Sequence, residues 1–480
     1  MLQNSSSSTQ ADRWTKDILP WQMDTVITIP TLFMAIGAFI WVPLTIGMGR
    51  RPVFLLASLT TLLATLGAGY AQNFSQLLAC ICFMGLGEGF ALTAVRRSLF
   101  QRCDGALIAS QSLLIIIDMT FIHERPKAIA VLWSIAGFFG TGFVAIVPYL
   151  SDHGDEWRAY YRYWSIPAIV SVVLVFFLFP ETYFKRPTVA FDGLIVLQSA
   201  TEKLTVFKDI EADSEIYRDL PKLPTHVGLL GQFNIWRSPF ASWKSMGRCY
   251  PQVAFCLLNP LIFWMAVAIS INYAGMMFIG TSYPRVLQEA PYNLSSGKVT
   301  LVNIASALGG LIAYPLGVYP VQKVLDGLAR KNRGVREAEH YLVGLILPVI
   351  TGAASSLIYG MAAHYGLHIS AYYCANGLNG FSWVTIAITT TMWVTEAFPR
   401  WAAPALAAMG GGSFLITFCM TFALAPWTDA HGFRLVGIEL AVLQLMSGLV
   451  AVPIAFWGKS ARQAIHGRWA DERGGALRPL

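Results

Sequence analysis

The chain has 480 residues, of which 55% are hydrophobic and only 13% charged, with a mean hydropathy of +0.53. Soluble domains carry about 25% charged residues; the deficit is what a hydrocarbon solvent imposes, because charge at mid-bilayer is costly. The formal net charge of +7 is concentrated at the borders of apolar runs, which favours membrane orientation over nucleic-acid binding.

Residues 1–25 are polar and contain no h-region of a cleavable signal peptide. After them come eleven apolar runs, each about the ~20 residues that a helix needs to cross ~30 Å of hydrocarbon. They are 26–48, 53–71, 77–95, 128–150, 163–179, 253–278, 299–321, 341–363, 369–393, 402–426 and 435–457. Residues 107–121 are apolar but too short to span alone. The pattern predicts an all-α, multi-pass membrane protein. It divides into a first bundle (26–180), a central loop (181–250), a second bundle (251–458) and a basic tail (459–480). Within the loop, TEKLTVFKD from Thr201 alternates like a strand, and the remainder reads as a flexible linker.

Lys and Arg fall in every second loop. Arg50, Arg51, Arg125 and Lys127 lie on one side, with nine basic residues between Lys185 and Arg248, five between Lys323 and Arg336, Arg400, and five from Lys459 onward. The other side holds Arg13, Lys16, Arg158, Arg162, Arg285, Lys298 and Arg434. The positive-inside rule makes the first set cytoplasmic, with the C-terminus inside. Asn4, Asn73 and Asn293 head N-x-[ST] sequons. Asn73 and Asn293 fall in loops placed outside by charge, which makes them glycosylation candidates.

GMGRRP at Gly47 and LDGLARKNRG at Leu325 are both basic Gly-containing turns, six spans apart. That period predicts a 6+6 duplicated bundle with a substrate site between its halves.

The specific phrases are PLTIGMGRRPVFL from Pro43, IIDMTFIHERPKA from Ile116, FPETYF from Phe179, CLLNPLIFW from Cys256, NRGVREAEHYL from Asn332 and WVTEAFPRWAAPA from Trp393. Through them the chain resembles a fungal member of the major facilitator superfamily, in or near the drug:proton antiporter branch. The resemblance implies twelve helices, no enzymatic activity and proton-coupled export of organic compounds. It also implies gating roles for Gly49, Arg50, Arg51, Glu124, Arg125 and Arg333. Departures from the family pattern are informative. A further helix is expected before residue 26. The first turn has Ile46 and Gly47 where the family carries an acid and an Arg. Cys82 stands where a buried Arg is usual, and Thr141 where an antiporter proline is usual.

Residues 95–111, VRRSLFQRCDGALIASQ, place three Arg and an Asp in what should be one helix. The reading is an insertion, matching a retained intron together with a missed upstream exon for the first helix. The alternative is a re-entrant loop lining a cavity.

Glu88, in GLGEGF, is an intramembrane carboxylate and therefore a functional candidate; low dielectric disfavours the bare anion, which suits it to carrying a proton. Asp118 is a second proton-coupling candidate, although a helix-end role fits it better. Asn259, Trp264, Asn272 and Tyr273 on the sixth span, with Asn376, Asn379 and Trp383 on the ninth, form a polar and aromatic set suited to a ligand pocket. The same amides serve equally as helix–helix ties. No metal or cofactor is expected: HERP is not a zinc motif, and the seven cysteines form no CxxC pair.

The leading expectation is a monomeric secondary transporter in the plasma membrane. It exports a drug, toxin or secondary metabolite, and its partners are the small-molecule substrate, protons and lipid. The alternatives are an uptake permease for a small polar metabolite, a non-transporting receptor, or an inactive gene product.

Overall fold

The computed structural model describes residues 23–89, 125–146, 149, 157–181, 195–198, 204–207, 236, 238, 241–332, 337–398 and 401–472. The suspected insertion, Asp118, Glu124 and Arg333 lie outside these residues. Arg125 opens a helix, of which only the backbone is described there.

The first half contains α1 (Met23–Met48), α2 (Arg50–Gly69), α3 (Phe74–Glu88), α4 (Arg125–Gly142) and α5 (Trp157–Leu178). A hairpin follows, β1 (Ile195–Gln198) against β2 (Leu204–Phe207), antiparallel with Ile195 opposite Phe207. The alternating TEKLTVFKD stretch thus supplies β2, and the linker expectation for 181–250 gives way there to an ordered pair. It gives way again at α6 (Trp243–Leu258), whose N-terminus is capped by the Ser242 hydroxyl accepting from the Ser245 N–H.

The second half contains α7 (Pro260–Gln288), α8 (Ser296–Thr300), α9 (Val302–Ile312), α10 (Tyr319–Lys331), α11 (Ile346–Tyr365), α12 (Ser370–Ala397), α13 (Ala402–Leu449) and α14 (Ala451–Glu472). A π-helical turn, Ala313–Val318, joins α9 to α10. Short 3-10 segments, Phe143–Ile146 and Ala338–Leu345, follow α4 and precede α11.

Eight helical stretches among the described residues are long and apolar enough to cross a membrane, against eleven runs read from sequence, and the differences have local causes. The described part of α3 is only 15 residues long. Hydroxyl and amide side chains dilute the apolarity of α12. The last two runs form one stretch that bends at Gly432, whose φ of 72° requires the left-handed region open to glycine. The sixth run, expected over 253–278, is divided at Asn259–Pro260, so its first residues belong to α6.

The halves meet along two seams. Gly411 on α13 lies against the Phe39 ring of α1, and Gly137 on α4 against Val384 of α12. At the far C-terminus α14 is tied to the turn before α11. Glu339 accepts from Arg462 Nη2 at 2.9 Å, with both side chains about 95% or more buried. Arg462 also donates to the Ala397 carbonyl at 3.0 Å.

Nearby and more exposed, Lys459 donates to Glu337. That hydrogen bond, ahead of a smaller opposing desolvation, holds the Glu337 carboxyl below its usual range. A carboxylate with a depressed pKa stabilises the fold above its ordinary pKa and loses that contribution as pH falls through the lowered value. Lys459→Met should therefore remove a stabilisation of under ~1 kcal/mol, typical of an exposed pair, at neutral pH. It should make no difference well below pH ~4, where Glu337 is protonated either way; thermal melts of both proteins from pH 3 to 7 check this.

Candidate functional site

The α1–α2 turn carries the first cluster. Gly49 has φ 112°, which exposes the first N–H groups of α2. Glu181, just beyond α5, accepts from the Arg50 N–H at 3.0 Å and the Arg51 N–H at 3.4 Å. One carboxylate thus caps a helix from another element, satisfying donors that no local side chain reaches. Both Arg side chains turn inward and are buried. Arg50 Nη1 donates to the Thr45 hydroxyl and Arg51 Nη2 to the Phe176 carbonyl, the latter at 2.6 Å. The segment leading into α6 closes over the same turn: Ser238 N–H donates to Met48 O at 2.8 Å and Ser242 N–H to Ile46 O at 3.1 Å. Glu181 was visible in sequence only as part of FPETYF; the clamp it completes is a tertiary contact 130 residues long.

A β-carbon at Gly49 would sit 2.4 Å from Glu181 Oε2 and 2.7 Å from Ser238 Cβ. Gly49→Ala should therefore both strain the left-handed backbone, at about 1–3 kcal/mol, and displace Glu181. The expected result is a lower melting temperature and faster labelling of a cysteine placed at Ser238.

The second cluster lies between the halves. Glu88 ends α3 with an exposed side chain. It is within electrostatic reach of Tyr273 on α7 and Tyr160 on α5. Tyr273 packs edge-on against Trp383 of α12, with ring centroids 5.0 Å apart, and against Phe414 of α13 at 6.3 Å. All three rings are only partly buried. Tyr160 stacks on Trp164 at 5.9 Å, which meets Phe143. Aromatic groups of both halves therefore lie within electrostatic reach of one carboxylate. Of the residues expected from sequence, Tyr273 and Trp383 are in ring contact and Glu88 is within reach of Tyr273; Tyr160 and Phe414 join them without a motif to announce them.

Of the other expected pocket residues, Asn259, Trp264, Asn272 and Asn376 have hydrogen-bond partners, whereas Asn379 Nδ2 and Asn272 Oδ1 have none among the described residues. Asn259 caps α7, its Oδ1 accepting from the Leu261 N–H at 3.0 Å, so it terminates a helix rather than facing a pocket. Trp264 donates to the Ser447 carbonyl at 2.9 Å. Asn272 donates to Ser382 at 2.6 Å, which in turn donates to the Pro348 carbonyl at 2.7 Å, tying α7, α12 and α11 together. Asn376 bonds to the Tyr372 carbonyl of its own helix, and Asn379 is buried on the same face of α12. Asn73 and Asn293 are both exposed, in turns beyond the far ends of α2 and α7 from the Glu181 clamp.

A family model described as Major Facilitator Superfamily matches residues 11–426. An uncharacterised MFS-type transporter of Schizosaccharomyces pombe is 23% identical over 90% of this chain and 77% of its own length. A probable efflux pump of Aspergillus flavus is also 23% identical, over 93% of this chain and 97% of that protein. Among solved structures, the proton:xylose symporter XylE superposes with a TM-score of 0.55 at 13% identity, covering 90% of this chain and 84% of that one.

Proposed function

The chain belongs to the major facilitator superfamily of transporters, and we propose that it exports small organic molecules across the plasma membrane in exchange for protons. It works as a monomer in the bilayer with its basic tail in the cytoplasm, as the loop charge asymmetry supports. The observation that carries the reading is the second cluster: one carboxylate, Glu88, set among half-exposed aromatic faces contributed by both halves. Pockets for organic ligands are mostly apolar with few placed polar groups. The tyrosine and tryptophan surfaces supply the apolar contact, and the carboxylate supplies a group that binds and releases a proton as access alternates. Relatives named as efflux pumps support the outward direction.

Whole-cell accumulation of a panel of fluorescent organic dyes tests the direction. Expression of the protein should lower the steady-state content of at least one dye, and dissipating the proton gradient should restore it. A rise in cell content on expression would instead establish uptake.

A further inference from the structure

At the mouth opposite the Glu181 clamp, a cavity of about 180 Å³ opens between α1, α7 and α13. Its floor is apolar and aromatic: Phe278, Phe433 and Leu424, with the two rings 6.2 Å apart. Its walls are hydroxyls. Thr281 donates to the Met277 carbonyl and Thr428 to the Leu424 carbonyl, both at 2.8 Å, so each presents only lone pairs to the cavity. Ser282 likewise donates to the Phe278 carbonyl and is bonded to the Tyr359 hydroxyl. Thr421 also lines the cavity, but it is 94% buried and its hydroxyl oxygen is closed off from the open space, so it shapes the wall without offering an acceptor. Asp429 adds a carboxylate at the edge and has no ion-pair partner among the described residues. The cation among the described lining residues, Arg285, makes an exposed ion pair with Glu289 one turn on, at 3.0 Å.

A cavity walled by acceptors, bordered by a carboxylate and floored by aromatic rings selects a ligand that is cationic, rich in N–H donors and attached to a small apolar group. We propose that this mouth is a binding site for small protonated organic amines, distinct from the Glu88 cluster. The ammonium is held by Asp429 and the Thr281 and Thr428 oxygens, and the apolar portion rests on Phe278 and Phe433. The volume admits a benzene-sized group, since an apolar cavity of about 150 Å³ accepts benzene.

The test uses the purified full-length protein in detergent at pH 7, with benzylamine as probe and benzyl alcohol as its neutral control, read by saturation-transfer NMR. Benzylamine should bind at least tenfold more tightly than benzyl alcohol. Asp429→Asn should weaken benzylamine about tenfold and Thr428→Val at least threefold, while benzyl alcohol is unchanged by Asp429→Asn. Equal binding of amine and alcohol would overturn the proposal, as would wild-type amine affinity in both Asp429→Asn and Thr428→Val. Loss of binding in Glu88→Gln with retention in Asp429→Asn would place the probe at the central cluster and overturn it equally. The readout needs no transport, so it stands apart from the direction of flux.

Discussion

Glu88→Gln is expected to abolish gradient-driven accumulation of substrate while leaving substrate exchange at equal pH intact. Gln keeps the size and hydrogen-bonding reach of Glu but cannot exchange a proton. Concentrative antiport requires one group that is protonated on one side of the membrane and released on the other. Glu88 is the carboxylate within reach of both Tyr160 and Tyr273, so no neighbouring described acid in that cluster substitutes for it. Proton-driven flux should fall by at least about tenfold, equivalent to about 1.4 kcal/mol or more in coupling. Substrate affinity, which the proposed site assigns mainly to Tyr273, Trp383 and Phe414, should change far less. Equal loss of exchange and of driven flux would instead assign Glu88 a structural role.

The largest effect on stability is expected at the other end of the molecule. Arg462→Ala should cost about 3–5 kcal/mol, because it leaves the Glu339 carboxylate buried without its counter-charge. The pair is bidentate, with Arg462 Nη2 at 2.9 and 3.1 Å from the two Glu339 oxygens and Nε at 3.2 Å from the first. The same side chain satisfies the Ala397 carbonyl at the end of α12. Removing it detaches α14 from two elements at once. Replacing both partners by neutral groups, Glu339→Gln with Arg462→Met, should recover much of the loss, since a buried pair compared with apolar packing is often close to neutral. Melting temperatures of the wild type, both single variants and the double variant in detergent decide it. A double variant as unstable as the sum of its parts would argue that the pair is not coupled.

The architecture was legible in sequence for a simple reason. Lipid forces long apolar helices, and loop charge records their order. Runs 26–48 and 341–363 therefore correspond closely to helical stretches. Where the reading departs from the structure, a local polar group is responsible. Asn259 caps a new helix start that hydropathy cannot see, Gly432 bends a stretch without making it polar, and the amides and hydroxyls of α12 fall below the apolarity of a lipid-facing span. The site was only partly legible. Glu88 stood out because a carboxylate in an apolar run is costly. Tyr273 and Trp383 stood out as aromatics beside buried amides. Asn272 donates to Ser382 on another helix, 110 residues away, and Asn376 to the Tyr372 carbonyl of its own helix; only the first of these depends on a partner far apart in the chain. Glu181, Tyr160 and Phe414 had no such signal, since their roles arise only from which helices pack together.

The most direct test of the transport account is flux in proteoliposomes under an imposed pH gradient, with no membrane potential and a dye identified from whole-cell screening. With the vesicle interior acidic, the dye should accumulate inside above its external concentration as protons leave, and a pH-sensitive probe in the lumen should record matching alkalinisation. Accumulation driven instead by an alkaline interior, or simple equilibration insensitive to the gradient, would contradict proton-exchange export.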